Sequence, residues 1–339
     1  MEAVYRFNEL FMEPPEEFEP FFEDILNGFR KFFLFKSAVD VGIFDMLKEP
    51  KTLHEIESKT GFNNKILFLF LENLVKLGLL RKDGDRYVNS EMADKFLTDS
   101  PYSQLYYVRN AMESSLIWLN LPKALKGEQT RFNIENFFSQ RIIHSLAQNS
   151  LLGELQSTVK LISSLNFFRK ARKLLDLGGG HGLYSIAFTM LNENLKAYVF
   201  DLPDVVEETK KYIRKYNARR VDVIPGNFFT DELGEDYDIV FSSYNPGGKR
   251  AELIPKIWRC LKNGGIYINR QCFPESDIDL ADLHWNLWNF GIEKGLKAYT
   301  FEGDLSLEGY INALEDTGFE ILNVFKMKDD VKMIVARKL

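Results

Sequence analysis

The sequence predicts an α/β fold, with a doubly wound, mostly parallel sheet in the C-terminal half and an all-helical domain before it. Three observations support this expectation. From residue 172 onward, apolar segments of strand length alternate with helical segments, and a glycine cluster separates the first strand from the first helix. In the N-terminal part, apolar residues recur at helical spacing. We expect a ligand at the carboxyl ends of the parallel strands.

The first strand covers residues 174–177 and ends in four glycines between positions 178 and 182, after which helical sequence resumes at Leu183. A strand, a glycine turn and a helix in this order indicate a nucleotide-type cofactor. The glycines let the backbone turn sharply and approach a ligand closely. The helix directs its unpaired N–H groups at the same ligand.

Asp201 ends the second predicted strand, residues 196–201, and lies nineteen residues after Gly182. An acidic residue at this place accepts hydrogen bonds from a ribose diol in nucleotide-binding folds. The alternative is that Asp201 caps the helix starting near Pro203. Capping would explain the acidic residue at the end of the second strand but not the glycine turn, so we favour a cofactor site.

The remaining C-terminal segments complete the alternation. We predict helices over 183–192, 203–216, 249–261, 282–291 and 306–317, and strands over 221–224, 237–243 and 265–273. Segments 319–325 and 331–336 predict an antiparallel hairpin. Dinucleotide-binding domains continue with β-α-β units instead. The hairpin therefore indicates the methyltransferase variant of the doubly wound fold and argues against an NAD-dependent oxidoreductase.

The N-terminal residues predict an extended arm over 1–20, helices over 21–35, 36–47, 52–59 and 63–77, and a hairpin over 79–87. This order is typical of a winged helix-turn-helix, which often reads DNA. The 63–77 helix carries only Lys65, Glu72 and Lys76 among many Leu, Phe and Ile residues, whereas a groove-reading helix needs exposed donors. We therefore expect a buried helix in a dimerisation and substrate-covering domain, with DNA binding as the weaker alternative.

We predict three domains: a winged-helix-like dimerisation domain over 1–100, a helical connector over 101–165 that contributes to the substrate pocket, and a cofactor-binding domain over 166–339. The segment 101–170 is rich in aromatic residues, which either form core or line a flat apolar substrate. The N-terminal helices carry more apolar surface than one small module can bury. This excess predicts a homodimer.

Composition excludes several function classes. The chain has 339 residues, enough for two domains, and no apolar run of bilayer-spanning length. It lacks a signal-peptide pattern and contains only Cys260 and Cys272, in no zinc-site spacing, which predicts a cytoplasmic location and no metal. The net charge of −6 argues against nucleic acid as the main partner, and we expect no membrane partner.

Six motifs are shared, in this order, with a known family. They are Ala38-Val-Asp-Val-Gly-Ile-Phe44, Leu77-Gly-Leu-Leu80, Leu175-Asp-Leu-Gly-Gly-Gly180, Phe200-Asp-Leu-Pro-Asp204, Pro225-Gly-Asn-Phe228 and Lys262-Asn-Gly-Gly265. Along nearly its whole length the chain resembles the S-adenosylmethionine-dependent O-methyltransferases of the plant caffeate and bacterial polyketide type. The resemblance implies a Rossmann-like class I methyltransferase domain, S-adenosylmethionine as cofactor, S-adenosylhomocysteine as product, and a homodimer.

The resemblance also implies roles for individual cofactor-binding residues. Gly178 and Gly180 would lie against the methionine part of the cofactor, and Asp201 would hold its ribose hydroxyls. Where the family has an Asp that contacts the adenine amine, this chain has Asn227, whose carbonyl oxygen can still accept from an amine.

Two further residues complete the predicted cofactor site. Phe228 would stack beside the adenine ring, and Ser243, at the end of the fourth strand, is also expected to contact the cofactor.

The family's usual catalytic pair is missing. The general-base His that follows the fourth strand is absent from the run Ser243-Tyr-Asn-Pro-Gly-Gly248, and the two expected Glu positions fall on Gln271 and near Asp304. A general base typically contributes about a hundred- to ten-thousand-fold to rate. Either an acidic acceptor is already anionic, or another group replaces the base.

Candidate replacements come from the acceptor region that the resemblance implies. We predict His284 as the base, with Tyr244 and Asp304 as further catalytic candidates that hydrogen-bond the acceptor. His181, inside the glycine turn, is expected beside the cofactor and not as a catalyst. The predicted substrate pocket consists of Trp285, Trp288, Asn245 and Gln271.

The leading hypothesis is therefore O-methylation of a small aromatic or quinone-like hydroxyl compound. One alternative keeps the cofactor but transfers methyl to nitrogen or carbon, or transfers none. A less favoured alternative is a winged-helix regulator that senses a metabolite.

Overall fold

The computed structural model describes residues 16–128, 141–291 and 295–339. The chain divides into two compact units, Met1–Leu105 and Tyr106–Leu339. The predicted arm lies mostly outside the described residues, which begin within it. Among the described residues, no helix combines the length and apolar character needed to cross a bilayer.

The N-terminal unit is mostly helical but contains a small sheet. Its elements are α1 (Phe18–Asp40), α2 (Ile43–Met46), β1 (Lys51–Thr52), α3 (Leu53–Thr60), α4 (Asn64–Lys76), β2 (Leu80–Asp83), β3 (Arg86–Asn89) and α5 (Glu91–Phe96). The predicted hairpin is present as β2 and β3, and β1 pairs with β3 on its other side. The sequence predicts an all-helical N-terminal domain, but the domain contains this three-stranded sheet.

The two helices predicted over 21–35 and 36–47 are wrong as separate elements. Helix α1 runs without interruption to Asp40, because no glycine or proline lies between Lys31 and Val41. The break comes at Gly42, whose φ of +66° is left-handed and ends the helical path before α2.

Helix α4 is buried on one face only. Asn63 caps it by accepting a hydrogen bond from the Ile66 N–H, and its buried residues are Leu67, Leu71 and Leu74. The opposite face exposes Ile66, Phe68 and Leu69, so the predicted burial of the whole helix is not met within one chain. Helix α1 likewise exposes an apolar stripe that comprises Phe18, Phe21, Phe22, Ile25, Phe29 and Phe33.

The C-terminal unit begins with helices and continues as an alternating α/β domain. The helices before the sheet are α6 (Leu105–Ser115), α7 (Leu121–Leu125), α8 (Arg141–Ser150) and α9 (Glu154–Ser164). The predicted connector over 101–165 is thus mainly helical where it is described; its residues 129–140 lie outside the described residues. The alternating part consists of β4 (Lys173–Leu177), α10 (Leu183–Leu191), β5 (Lys196–Asp201), α11 (Pro203–Lys215), β6 (Val221–Pro225), β7 (Tyr237–Ser243), α12 (Ile254–Cys260), β8 (Leu261–Cys272), α13 (Leu280–Trp288), α14 (Leu307–Asp316), β9 (Phe319–Lys326) and β10 (Val331–Lys338).

The sheet has seven strands in the order β6-β5-β4-β7-β8-β10-β9. Strands β4 to β8 pair in parallel, whereas β10 pairs antiparallel with both β8 and β9. The doubly wound sheet with a terminal antiparallel hairpin is thus confirmed. Its carboxyl edge brings together the ends of β4, β5 and β7, where the glycine turn, Asp201 and Ser243 lie.

Helices cover both faces of this sheet. Leu174 belongs to a core with Ile162 and Phe188, on the side of α9 and α10, while the next residue, Leu175, belongs to a core with Ile257 and Leu314, on the side of α12 and α14. Strand β4 is therefore buried on both faces, as its largely apolar sequence predicts, although it also contains the buried Asp176.

The starts of two helices, α13 and α12, differ from the prediction. Helix α13 starts at Leu280 because Asp279 and Asp282 form a capping box, which the apolar spacing did not reveal. Helix α12 starts only at Ile254, after a short 3₁₀ segment at 251–253 and with Pro255 in its first turn.

We predict that the exposed faces of α1 and α4 join two copies of the chain. Combining Phe29→Glu with Ile66→Glu should convert a dimer to a monomer, because burying unpaired carboxylates in an apolar contact is costly. Light scattering coupled to gel filtration at micromolar protein measures the mass directly. Met190→Glu, on an exposed site of α10, is the matched control and should leave the dimer intact. A wild-type monomer at this concentration would contradict the prediction.

Candidate active site

The glycine turn after β4 is packed so tightly that side chains are excluded. A Cβ on Gly178 would lie 2.8 Å from the Cβ of Asn245, and one on Gly179 would lie 2.6 Å from the Cγ of Asp176. Gly178 and Gly180 also have φ values of +67° and +52°, which L side chains rarely adopt. The backbone N–H groups of this turn consequently lie close to any ligand at the sheet edge.

Asp201 is hydrogen-bonded to the glycine turn and does not cap α11. Its carboxylate accepts from the Gly180 N–H at 2.8 Å and from the Leu202 N–H at 2.8 Å. Helix α11 has no side-chain cap. Burial raises the pKa of Asp201, although the two N–H donors act in the opposite direction. Asp201 therefore joins the ends of β4 and β5, as its predicted position requires.

A cavity of about 400 Å³ opens beside this turn. Its lining comes from α8, α9, the glycine turn, the end of β7 and the segment near residue 299; the residues are Ile143, Leu146, Asn149, Ser150, Glu154, Asp176, Gly178, Gly179, Gly180, His181, Tyr184, Ser243, Tyr244, Tyr299 and Asp329. Four predicted site residues, Gly178, Gly180, Ser243 and Tyr244, thus meet at one cavity.

Burial shifts the pKa values of two ionisable groups in the cavity, Asp176 and His181, in opposite directions. Burial raises the pKa of Asp176 to about 7, although its carboxylate accepts a hydrogen bond from the Ser185 hydroxyl at 2.8 Å. Burial lowers the pKa of His181 to about 4, so this imidazole is neutral at pH 7. Its Nδ1 accepts from the Leu183 N–H at 3.1 Å, which places the ring proton on Nε2.

Asn227 and Phe228 lie next to Asp201 but not in the lining of this cavity. The Gly226 N–H donates to the Asp201 carbonyl at 2.9 Å, which holds the two strand ends together. Asn227 is exposed, and its side-chain oxygen accepts from the Phe229 N–H at 2.9 Å.

Asn245 and Gln271, predicted in the substrate pocket, are buried among polar backbone groups. The Asn245 amide donates to the Leu177 carbonyl at 2.6 Å, and its oxygen accepts from the Gly247 N–H at 3.0 Å. Gln271 packs directly against Gly248, where a Cβ would be 1.7 Å from its Nε2. Both side chains fix the loop that follows β7.

His284 lies on α13 with its Nδ1 occupied. The Trp118 indole N–H donates to this nitrogen at 3.0 Å, so the neutral imidazole carries its proton on Nε2 and has no free lone pair. Burial also lowers the pKa of His284. In this arrangement His284 offers a hydrogen-bond donor, not a proton acceptor.

Asp304 forms a buried ion pair with Lys249, at 2.7 Å. The carboxylate also accepts from the Phe301 N–H at 2.9 Å, and the Lys249 ammonium donates to the Tyr299 carbonyl at 2.8 Å. The pair therefore fixes the segment that carries Tyr299 into the cavity wall.

An aromatic wall extends from the cavity to α13. The ring centroids of Tyr244 and Tyr299 are 6.0 Å apart, those of Tyr299 and Trp285 are 5.3 Å apart, and Trp285 meets Phe301 edge-on at 5.7 Å. Trp288, on the same helix as Trp285, is half-buried. Partial burial raises the pKa of Tyr244 to about 12, so its hydroxyl is protonated at neutral pH.

A buried polar group beside this cavity does not follow from the sequence pattern. Arg270 of β8 is only 3% exposed and donates to the Glu154 carboxylate at 3.0 Å. The Tyr184 hydroxyl donates to the same Glu154 oxygen at 3.0 Å. The available signal was the run Asn269-Arg270-Gln271 inside a strand that is otherwise apolar.

Two families of domains match the chain. An O-methyltransferase domain matches residues 139–265, and an O-methyltransferase dimerisation domain matches residues 23–99. The dimerisation match covers α1 to α5, and the other match contains the glycine turn, Asp201 and Ser243.

Individual proteins agree with these matches. An uncharacterised protein of Methanocaldococcus jannaschii is 39% identical over 93% of this chain and 88% of its own length. The N,N-dimethyltransferase OxyT of Streptomyces rimosus is 25% identical over 84% of this chain and 86% of its own length.

The fold is also that of a solved structure. Human N-acetylserotonin methyltransferase, in complex with S-adenosylmethionine, superposes with a TM-score of 0.73 at 22% identity, over 96% of this chain and 99% of that chain. This superposition shows the fold. The two domain matches and the sequence relatives show that the chain belongs to the S-adenosylmethionine-dependent O-methyltransferases that carry an N-terminal dimerisation domain.

Proposed function

We propose that this enzyme methylates the hydroxyl oxygen of a small, flat aromatic or quinone-like compound whose oxygen is anionic when it reacts. The observation that carries the proposal is one cavity, bounded on one side by the glycine turn and on the other by Tyr244 and Tyr299. The predicted catalytic residues are engaged elsewhere: His284 accepts from Trp118, Tyr244 keeps its proton, and Asp304 is paired with Lys249 through Oδ2, although its Oδ1 has no partner among the described residues. We also propose a cytoplasmic location, the division into domains over 1–100, 101–165 and 166–339, and the roles given above for the individual site residues.

The residues at the turn fit S-adenosylmethionine. Gly178 and Gly180 bring bare backbone to the cavity, and the Asp201 carboxylate retains lone pairs for ribose hydroxyls beyond the two N–H groups it binds. The Asp176 carboxylate, when ionised, can balance the positive charge of the cofactor. Asn227 and Phe228, beside Asp201, would hold the adenine end. When bound, the cofactor supplies an electrophilic methyl group on a sulfonium.

The state of the predicted catalytic groups favours an acceptor that ionises by itself. The Nδ1 of His284 is held by Trp118, Asp304 is paired with Lys249, and Tyr244 keeps its proton. Alignment of two reactants can contribute roughly 7–11 kcal/mol by itself, which exceeds the usual contribution of a general base. The chain's part is then to orient the acceptor and exclude water.

The aromatic wall supports a planar acceptor. Tyr244, Tyr299 and Trp285 offer ring faces and edges in continuous contact, and such surfaces bind flat apolar molecules well. The Lys249–Asp304 pair stabilises this wall by holding the Tyr299 segment.

N-methylation is the second candidate. A neutral amine attacks through its lone pair and loses its proton only after transfer, so the lack of a base also suits it. OxyT, which is 25% identical to this chain, is an N,N-dimethyltransferase by name. C-methylation, a role without methyl transfer, and a DNA-binding sensor have no comparable support.

The test of the proposal is methyl transfer to matched acceptors. With labelled S-adenosylmethionine, we expect the wild-type protein to label phenols and hydroxyquinones, faster as the hydroxyl becomes more acidic. Anilines of the same shape should remain unlabelled. Labelling of anilines alone would establish the N-methyl alternative, and cofactor binding without any labelled product would contradict both candidates.

We predict that S-adenosylhomocysteine binds more tightly as pH rises through 7. Its ammonium group favours the ionised form of Asp176, whose pKa is about 7 in the free protein, so binding releases a proton. Between pH 6 and 7.5 the affinity should rise by up to roughly eightfold, the change in the ionised fraction.

Calorimetry measures this pH dependence. Asp176→Asn should bind more weakly and lose the rise between pH 6 and 7.5. Asp222→Asn, on the exposed side of β6, is the control and should keep it. A wild-type affinity that does not change over this range would contradict the prediction.

We predict that His284→Gln lowers kcat by less than about tenfold, because the side chain orients and does not accept the proton. Trp118→Phe should change kcat by a similar small factor, since it only frees Nδ1. The measurement is the rate of methyl transfer to the best acceptor of the panel. A loss of about a thousandfold in His284→Gln, restored by raising the pH, would instead identify His284 as the base.

A further inference from the structure

Arg270 places a permanent positive charge behind the wall of the transfer cavity. Its Nη1 donates to the Glu154 carboxylate at 3.0 Å and to the Ser243 hydroxyl at 3.3 Å, and its guanidinium lies 4.6 Å from the Tyr244 ring centroid. All three neighbours line the cavity. The charge therefore acts on the cavity contents from one side.

The hydrogen-bonding capacity of this guanidinium is incompletely used. Arginine has five N–H donors, and within the described ranges the two hydrogen bonds recorded for the Arg270 side chain both come from Nη1. Its Nε is buried and has no acceptor among the described residues. Glu154 accepts from Arg270 through one oxygen, so this pair lacks the two-bond fork that arginine can offer to a carboxylate.

Ser243 extends the reach of Arg270 into the cavity. Because its hydroxyl oxygen accepts from Arg270, its own hydrogen remains available for an acceptor on the cavity side. The neighbouring Glu154 is already shared with the Tyr184 hydroxyl. A polar chain thus runs from Tyr184 through Glu154 and Arg270 to Ser243.

The charges of the lining require such a cation if an anion is to enter. The described lining residues include Glu154, Asp176 and Asp329, but no Lys or Arg. His181 is neutral. Without Arg270, an anionic ligand would meet carboxylates and, apart from the sulfonium of a bound cofactor, no countercharge among the described lining residues.

We infer that Arg270, directly or through Ser243, binds a negatively charged oxygen of the methyl acceptor, so that the enzyme selects phenolate, enolate or carboxylate compounds over neutral ones. This inference rests on the proposed function. In this inference the charged guanidinium compensates for the missing base, because it stabilises the ionised oxygen without itself taking up a proton.

The experiment compares the binding of charged and neutral probes of similar shape. With saturating S-adenosylhomocysteine at pH 8, calorimetry is run with 4-nitrophenol against 4-nitroanisole, 2-hydroxy-1,4-naphthoquinone against 1,4-naphthoquinone, and 4-hydroxybenzoate against 4-hydroxybenzamide. The first pair tests phenolate, the second enolate and the third carboxylate. The wild-type protein should favour the anion by about tenfold or more in at least one pair.

Substitutions of Arg270 and of its ion-pair partner Glu154 should change the affinity for anionic probes in opposite directions. Arg270→Met should reduce the preference to about twofold or less, and Arg270→Lys should retain part of it, because the charge stays and the fork is lost. Glu154→Gln should raise anion affinity about threefold or more, because the competing carboxylate is gone. Arg337→Met, which breaks an exposed pair with Glu320, is the control and should change nothing.

Folding is verified by S-adenosylhomocysteine affinity and thermal melting. If Arg270→Met does not fold, Glu154→Gln with Arg270→Met removes both charges of the pair and should lose the anion preference. An unchanged preference in a folded variant that lacks Arg270 would show that the pair only joins α9 to β8 and would overturn the inference. So would a wild-type protein that binds no anionic probe, or a Glu154→Gln variant with weakened anion binding.

The inference and the proposed function fail separately. A wild-type protein that binds S-adenosylhomocysteine and methylates hydroxyl compounds, but shows no charge preference, contradicts the role of Arg270 alone. A wild-type protein that binds the product yet methylates nothing contradicts the proposed function.

Discussion

The close packing of two glycines, Gly178 and Gly179, against two buried polar side chains determines the rest of this site. Gly178 lies against Asn245 and Gly179 lies against the Asp176 carboxyl, so neither position has room for a Cβ. The same contacts connect the turn to its neighbours. Asn245 donates to the Leu177 carbonyl, and Asp201 accepts from the Gly180 N–H. The ends of three parallel strands are thereby held at fixed separation.

This arrangement explains why the loop after β7 can lack the usual histidine and still keep its shape. Asn245 bonds the loop to β4, and Gln271 and Asn269 hold it from β8, with the Asn269 amide donating to the Gly248 carbonyl at 2.6 Å. Tyr244 is left with a φ of +51°, which a non-glycine residue adopts at some cost. Its backbone N–H donates to the Arg270 carbonyl, which stabilises this conformation. The loop thus presents Ser243 and Tyr244 to the cavity without a base.

The sequence predicts well what depends on local pattern. The bounds of β5 and β7 follow from apolar runs bounded by turn residues, and Asp201 and the glycines follow from their spacing. Contacts between distant segments are different. Glu154 and Arg270 are 116 positions apart, and Trp118 and His284 are 166 apart. Hydrophobic periodicity carries no information about such distant pairs. The sequence therefore suggests His284 as a base but does not reveal that Trp118 donates a hydrogen bond to its Nδ1.

The electrostatics of the cavity connect the fold to the proposed chemistry. Burial keeps His181 and Tyr184 neutral and holds the pKa of Asp176 near 7. The charge of each of these groups therefore depends on its surroundings. Arg270 differs because a guanidinium stays charged in any protein environment. A histidine base works only over the pH range in which it is unprotonated, whereas a fixed cation favours an ionised oxygen at every pH. If the proposed function holds, the acceptor gives up its proton without a protein base, and the acidity of its hydroxyl group decides which molecules react.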